Sequence, residues 1–346
     1  MQNKIRRILK RNKKLLCLYR CFKWRNNKRF VEQILHPENV LFVESFADEN
    51  KDKVIYFIDL ESNAGFFAIY RQLLNALFVA DRMNFEPYIN IISPDYTDNM
   101  SDNLFAYFFN QPTNYCIDDV KKSYTVVRYS CEHYHQMVKL ETSKEYIIGG
   151  YIIDEHTINL YSQIKRKFLV LKDTIKNDLY SDVRGLLKDY KCVGVHYRGT
   201  DYARGFYGHP VLLNVSDYYP YIDKCLENGF EKIFLATDDV NALVEFEEHY
   251  PNKVIYYKDC LRSSNGITVT LLDDDRKNKG FLKGYEVYRD MFTLASCDGL
   301  VCGNSQVNIA ARIEKKSRGV EFNYIKIIDK GIYNDLRKKN GFRDVK

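Results

Sequence analysis

Three short clusters in the second half of the chain carry side chains that can do chemistry, and each follows an apolar run. The first is His196-Tyr197-Arg198-Gly199-Thr200-Asp201. An imidazole, a guanidinium and a carboxylate in so short a span can hold a base edge, a phosphate and a hydroxyl. The second is Ala236-Thr237-Asp238-Asp239, which sets two carboxylates at a strand-to-helix junction. The third is Gly303-Asn304-Ser305-Gln306-Val307, in which Ser305 opens a helical stretch whose free N–H groups would bind phosphate readily. Taken singly, Ser305 and Thr237 are equally good helix N-caps, and Asp238 and Asp239 equally good first-turn acids. Both roles stay open for these four.

The elements that must position these clusters alternate along the chain. Apolar runs predict strands at 53–58, 88–92, 124–128, 146–153, 192–196, 233–236, 253–257 and 299–302. Periodic stretches predict helices at 67–83, 159–187, 216–227 (N-capped by Ser216), 241–249, 281–295 and 306–314. Strands and helices in turn imply doubly wound α/β sheets, with ligands at the carboxyl ends of the strands. A chain of 346 residues is long enough for two domains, each with its own core. The boundaries expected are a segment 1–40, an α/β domain 41–185 and a second α/β domain 186–346.

Composition narrows the class without naming a function. At 45% hydrophobic and 28% charged residues the chain reads as soluble and folded. Nine cysteines, odd in number and without a Cys-x-x-Cys pair, argue against a disulfide scaffold or a zinc site and for a reducing compartment. No apolar stretch near the start is long enough for a signal peptide or a membrane span, so a cytoplasmic protein is expected. Residues 1–30 hold twelve Lys or Arg and no acid, which leaves 40 bases against 46 acids in the rest. Interleaved Ile5, Ile8, Leu9, Leu16, Tyr19 and Trp24 would give a helix there an apolar side. Such a helix suits an anionic membrane surface, at about 1 kcal/mol per base, and a solvated basic extension is the plainer reading. A nucleic-acid partner is not expected, because the acidic remainder offers no basic platform behind that arm.

The clusters, in this order and spacing, resemble the GDP-fucose-dependent fucosyltransferase superfamily, most of all its α-1,6 group. That group carries a His-Val-Arg-Arg-Thr-Asp motif, matched here by His196 to Asp201, and an Ala-Thr/Ser-Asp-Asp stretch, matched by Ala236 to Asp239. Its third block is matched by Asp290, Asp298, Leu300-Val301-Cys302 and Ser305-Gln306-Val307. The likeness covers roughly residues 190–315, and over the first half it is only general. Two departures stand out: Gly199 replaces the motif's second Arg, and the loop before Ser305 is one residue shorter.

The resemblance implies a GT-B fold of two Rossmann-like domains with a cleft between them, acceptor side first and GDP-sugar side second. It implies an inverting transfer of fucose from GDP-fucose to a glycan, with no metal required. Arg198 would hold the leaving diphosphate, with Ser305 and Gln306 completing the phosphate cradle. His196 and Asp290 would read guanine, and Asp238, beside Thr237, would meet the ribose or the sugar. Asp201, His209 and Asp217 are local candidates for the base that inversion needs, and a residue of the first domain is an equal alternative; the group's Glu is replaced by Phe206. The basic N-terminus suggests a lipid-linked acceptor at the inner membrane face. Another GDP-hexose or GDP-heptose as donor is the alternative, as is a non-catalytic binding protein. Asp273-Asp274-Asp275 invites a metal reading but is followed by neutralising bases, and His133 with His135 lacks a third ligand.

Overall fold

The computed structural model describes residues 42–129 and 150–333, with Leu18, Tyr19, Phe22 and Arg25. The expected membrane-surface helix therefore lies largely outside the described residues, and His133 and His135 lie wholly outside them. Among the described residues no helix is long and apolar enough to cross a membrane.

The first sheet contains β1 (Phe42–Glu44), β2 (Ile55–Glu61), β3 (Glu86–Ile92) and β4 (Val126–Tyr129), in the order β1-β4-β2-β3. β2 runs parallel to both β3 and β4, and β1 runs antiparallel to β4 at the edge. Between β2 and β3 lies α1 (Phe66–Met83), whose apolar stripe buries Ile69, Leu73, Leu74 and Leu77. It stops at Asn84, whose left-handed backbone (φ 52°) closes the last turn. The predicted helix at 159–187 is two helices, α2 (Glu155–Phe168) and α3 (Asp173–Leu187), because Leu169 leaves helical geometry (ψ 68°).

The second sheet contains β5 (Cys192–Tyr197), β6 (Lys232–Thr237), β7 (Val254–Ile255), β8 (Gly299–Gly303) and β9 (Tyr324–Ile328). All pairings are parallel, in the order β7-β6-β5-β8-β9. β5 is buried at every position, as a central strand covered on both faces must be. The chain winds outward from β5 in one direction to β7 and in the other to β9. The crevice between β5 and β8 is therefore the switch point where this fold class binds ligands. The connecting helices are α4 (Tyr219–Glu227), α5 (Val240–His249), α6 (Lys279–Ser296) and α7 (Gln306–Ser317).

Several expectations need correction. Ser216 is not a helix cap: it lies inside a 3-10 turn, Val215–Asp217, headed by Asn214, and α4 begins only at Tyr219, with Pro220 in its first turn. Proline lacks the amide hydrogen and suits a helix start, so it fixes the boundary there. The strand expected at 146–153 is irregular over its described part, 150–153.

The cores of the two halves are only partly separate. One apolar cluster runs from Tyr56, Phe66 and Leu77 through Tyr161 to Phe292, Leu300 and Ile313, taking in both halves. Smaller clusters lie on the opposite faces of the sheets, around Val193, Tyr218, Leu235 and Phe246 in the second half and around Ile55, Phe57, Val120 and Val126 in the first. α7 packs on α2 and α1, so the two sheets share a helical layer. The halves also meet at the start of α6. Asn278 supplies no side-chain cap there, and the Asp98 carboxylate accepts from the Gly280 amide across the joint at 2.8 Å. A Cβ on Gly280 would lie 2.4 Å from the Thr97 backbone, so this close approach requires glycine.

Candidate functional site

A cleft of about 200 Å³ opens between the halves at the carboxyl ends of β5 and β6. From the first half it is lined by Asn63, Gly65 and Tyr96, which follow β2 and β3. From the second come His196, Arg198, Asp201, Thr237, Asp238 and Asp290, so six of the residues singled out in the sequence meet here. Ser305 lines a small adjoining recess with His196 and Arg198. Gln306 goes elsewhere, its Nε2 donating to the Gly150 carbonyl at 2.9 Å and so tying the first half to α7.

Arg198 is the hub. Its Nε donates to Asp201 Oδ1 at 2.7 Å, and its Nη1 lies 2.8 Å from Asp238 Oδ2. Burial opposes the charge, yet the two carboxylates hold the guanidinium well above its usual range. Asp238 also accepts from the Gly199 amide (2.9 Å) and the Thr200 hydroxyl (2.6 Å). Burial pushes its carboxyl up, and Arg198 with these two donors outweighs that and keeps it ionised.

His196 stands behind the hub, almost fully buried. Burial first, and the neighbouring Arg198 second, push its imidazole down to about 4, so it is neutral at physiological pH. Ser305 Oγ lies 3.2 Å from His196 Nδ1 and accepts from the Asn308 amide at 3.1 Å. The hydroxyl can donate to Nδ1 or accept from it while it accepts from the Asn308 amide, so the contact fixes the ring's orientation for either neutral tautomer. Ser305 is thus both the N-cap of α7 and the group that orients His196.

Asp239, by contrast, is a cap. Its Oδ1 accepts from the Asn241 amide at 2.8 Å at the head of α5. It also explains Gly199. A Cβ there would sit 2.4 Å from Asp239 Oδ2, so the second Arg of the fucosyltransferase motif has no room in this chain. We expect Gly199→Ala to destabilise by about 1–3 kcal/mol, as overpacking does. Denaturant titration checks this, and an unchanged midpoint would show that the loop gives way freely.

Asp290 is the second feature of the cleft. Its Oδ1 is buried and has no hydrogen-bond partner, while burial pushes the carboxyl up to about 7. It projects from α6, together with Lys283, Glu286 and Val287, which also line the cleft. Those four share the i, i+3, i+4, i+7 spacing of one helix face, a pattern present in the sequence, whereas Asp290 is singled out there by the family resemblance alone. Cys260 and Leu261 come from the 258–278 connection, which has no periodicity to announce it.

The other base candidates are engaged or enclosed. Asp217 binds Lys330 at 2.6 Å, and His209 lies among Tyr151, Tyr202 and Phe206, with ring centroids 5.7–6.0 Å away. In the acidic run, Asp274 is held by Arg276 at 2.8 Å. Among the described residues no three His, Cys, Asp or Glu side chains form a group able to hold a metal ion.

No protein-family model and no curated protein sequence matches the chain. Among solved structures it is similar to the fucosyltransferase NodZ from Bradyrhizobium, at 15% identity and a TM-score of 0.46, covering 74% of this chain and 91% of that one. A crystal of NodZ α-1,6-fucosyltransferase soaked with GDP-fucose gives 15% identity and a TM-score of 0.46, over 75% and 91% of the two chains. POFUT1 in complex with GDP-fucose gives 11% identity and a TM-score of 0.44, over 81% and 98%.

Proposed function

We propose that the chain is an inverting glycosyltransferase that takes fucose from GDP-fucose and passes it to a hydroxyl of a glycan. The observation that carries this reading is the pairing, in one cleft, of Arg198 at a strand end with the buried, unpartnered carboxylate of Asp290. Ionised, Asp290 accepts from guanine N1–H and N2–H, a pattern that adenine and uracil do not offer. Arg198, already fixed by Asp201 and Asp238, gives its remaining N–H groups to phosphate oxygens.

In the reaction the acceptor oxygen bonds to the sugar C1 as the bond from C1 to the β-phosphate oxygen breaks. The electron pair leaves with GDP, and the acceptor proton passes to a base on the acceptor side. Negative charge grows on the diphosphate, and Arg198 meets it without reorganisation. A fixed guanidinium here does the work of a divalent cation, so no metal is required. Gly199, standing where the motif has a second Arg, favours a second reading in which the sugar is another GDP-linked hexose or heptose. The basic residues 1–30 support a lipid-linked glycan at the inner face of the cytoplasmic membrane as acceptor.

The test is a calorimetric titration with GDP, GDP-fucose, GDP-mannose, UDP-glucose and ADP in the presence of EDTA. Tight binding of the guanine nucleotides alone is expected, and equal affinity for ADP or UDP-glucose would sink the reading.

A further inference from the structure

The cleft is poorly charged for a diphosphate. Its lining holds four carboxylates, Asp201, Asp238, Glu286 and Asp290, against two cations, Arg198 and Lys283. Arg198 is bound to two of those carboxylates, Asp201 and Asp238. Glu286 is neutralised by Arg276 and accepts from the Leu261 amide. A pyrophosphate entering there meets one guanidinium whose charge is already shared, and a second positive group is needed to balance it.

We propose that Lys283 is that group: it binds the donor's diphosphate opposite Arg198, and it sets the preference for a nucleoside diphosphate over a nucleoside. Three observations carry this. Lys283 projects from the face of α6 that carries Asp290, seven residues earlier, so the two side chains stand roughly 10 Å apart along the helix. That separation suits a nucleotide laid with its base at Asp290 and its phosphates towards the mouth. Among the described residues, the hydrogen bond of the Lys283 ammonium is to a backbone carbonyl, Thr270 O, at 3.3 Å, an acceptor that a phosphate oxygen readily replaces. Its four-carbon stem lets the ammonium swing between that carbonyl and the ligand, a motion the braced Arg198 does not have.

The inference rests on the GDP-sugar reading, and a ladder of ligands separates the two. Guanosine, GMP and GDP are titrated into the wild-type chain, Lys283→Met and Lys283→Arg. Methionine keeps the apolar stem and removes the charge. Wild type is expected to tighten at each added phosphate. Lys283→Met should lose about 10- to 100-fold for GDP, the worth of a charge-assisted hydrogen bond, with guanosine unchanged, and Lys283→Arg should recover most of the loss. Equal GDP affinity in wild type and Lys283→Met overturns the inference and assigns the lysine to the neighbouring cavity it shares with Asp95 and Lys279. An equal loss for guanosine also overturns it, since the effect is then on shape. Should wild type bind GDP no better than ADP, the GDP reading itself fails, before Lys283 is considered.

Discussion

Arg198→Ala should lower transfer from GDP-fucose by about 10²–10³-fold, the cost of deleting a preorganised donor to charge that develops in the transition state. A second effect comes with it. Removal of the guanidinium leaves Asp201 and Asp238 facing each other across an empty space, with Asp238 only 10% exposed. Breaking a buried ion pair costs about 3–5 kcal/mol, and the partial exposure of Arg198 puts this one at the lower end. The variant should therefore melt early as well as turn over slowly. Arg198→Lys separates the two effects: one ammonium can neutralise the carboxylates but cannot fork between them and a phosphate. Near-wild-type melting with turnover still down at least tenfold would place the loss in the chemistry. Full activity in Arg198→Ala would mean that the leaving group is held elsewhere.

Asp290→Asn should make the protein more stable and, on the proposed reading, abolish guanine-nucleotide binding. The carboxyl titrates near 7 in the folded chain, against the ordinary carboxylate value in the unfolded one. Its contribution is therefore fully present at low pH and is lost as pH rises through about 7, where a buried charge must be carried. Asparagine carries none, so the gain in melting temperature should grow from pH 4 to 7 and then level off. Guanine recognition runs the other way. The ionised form is the one that accepts from N1–H and N2–H, so GDP affinity should fall about tenfold for each pH unit below 7. In Asp290→Asn that dependence should vanish along with most of the affinity. Wild-type affinity that stays flat between pH 5.5 and 8 would remove Asp290 from the base contact.

His196 adds the opposite slope. Its imidazole is held down at about 4, so its contribution is present above the unfolded value near 6.5 and is lost as pH falls towards 4. Between pH 4 and 6.5 the two buried groups offset each other, and the wild-type melting curve should be nearly flat on their account. Asp290→Asn should expose the histidine's limb.

The clusters at 196–201, 236–239 and 303–306 were legible because parallel strands end in ligand-binding loops and because their residue types are costly to place without a purpose. β5 and β8 could be found from apolar runs alone, and α6 from its period. The 258–278 connection could not, since its Leu261, Thr268 and Thr270 line the cleft through position in space. The role of Gln306 was hidden for a related reason: its side chain spans to Gly150, and nothing local to a helix start foretells a partner so far away in the chain. Cap and ligand roles at Asp238 and Asp239 are indistinguishable in sequence, and one hydrogen bond to the Asn241 amide separates them.

The shared apolar cluster bears on how such a chain can be inherited. Tyr56, Leu77, Phe292 and Ile313 belong to one packed interior, so neither half carries a finished surface towards the other. A gene fragment encoding either half would present that interior to water and to its neighbours in the cell. Recombination that trades first halves between chains of this fold must then carry α2 and α7 along as a matched pair. The loop at 94–98 is bound by the same constraint, since Thr97 and Asp98 close the joint against Gly280.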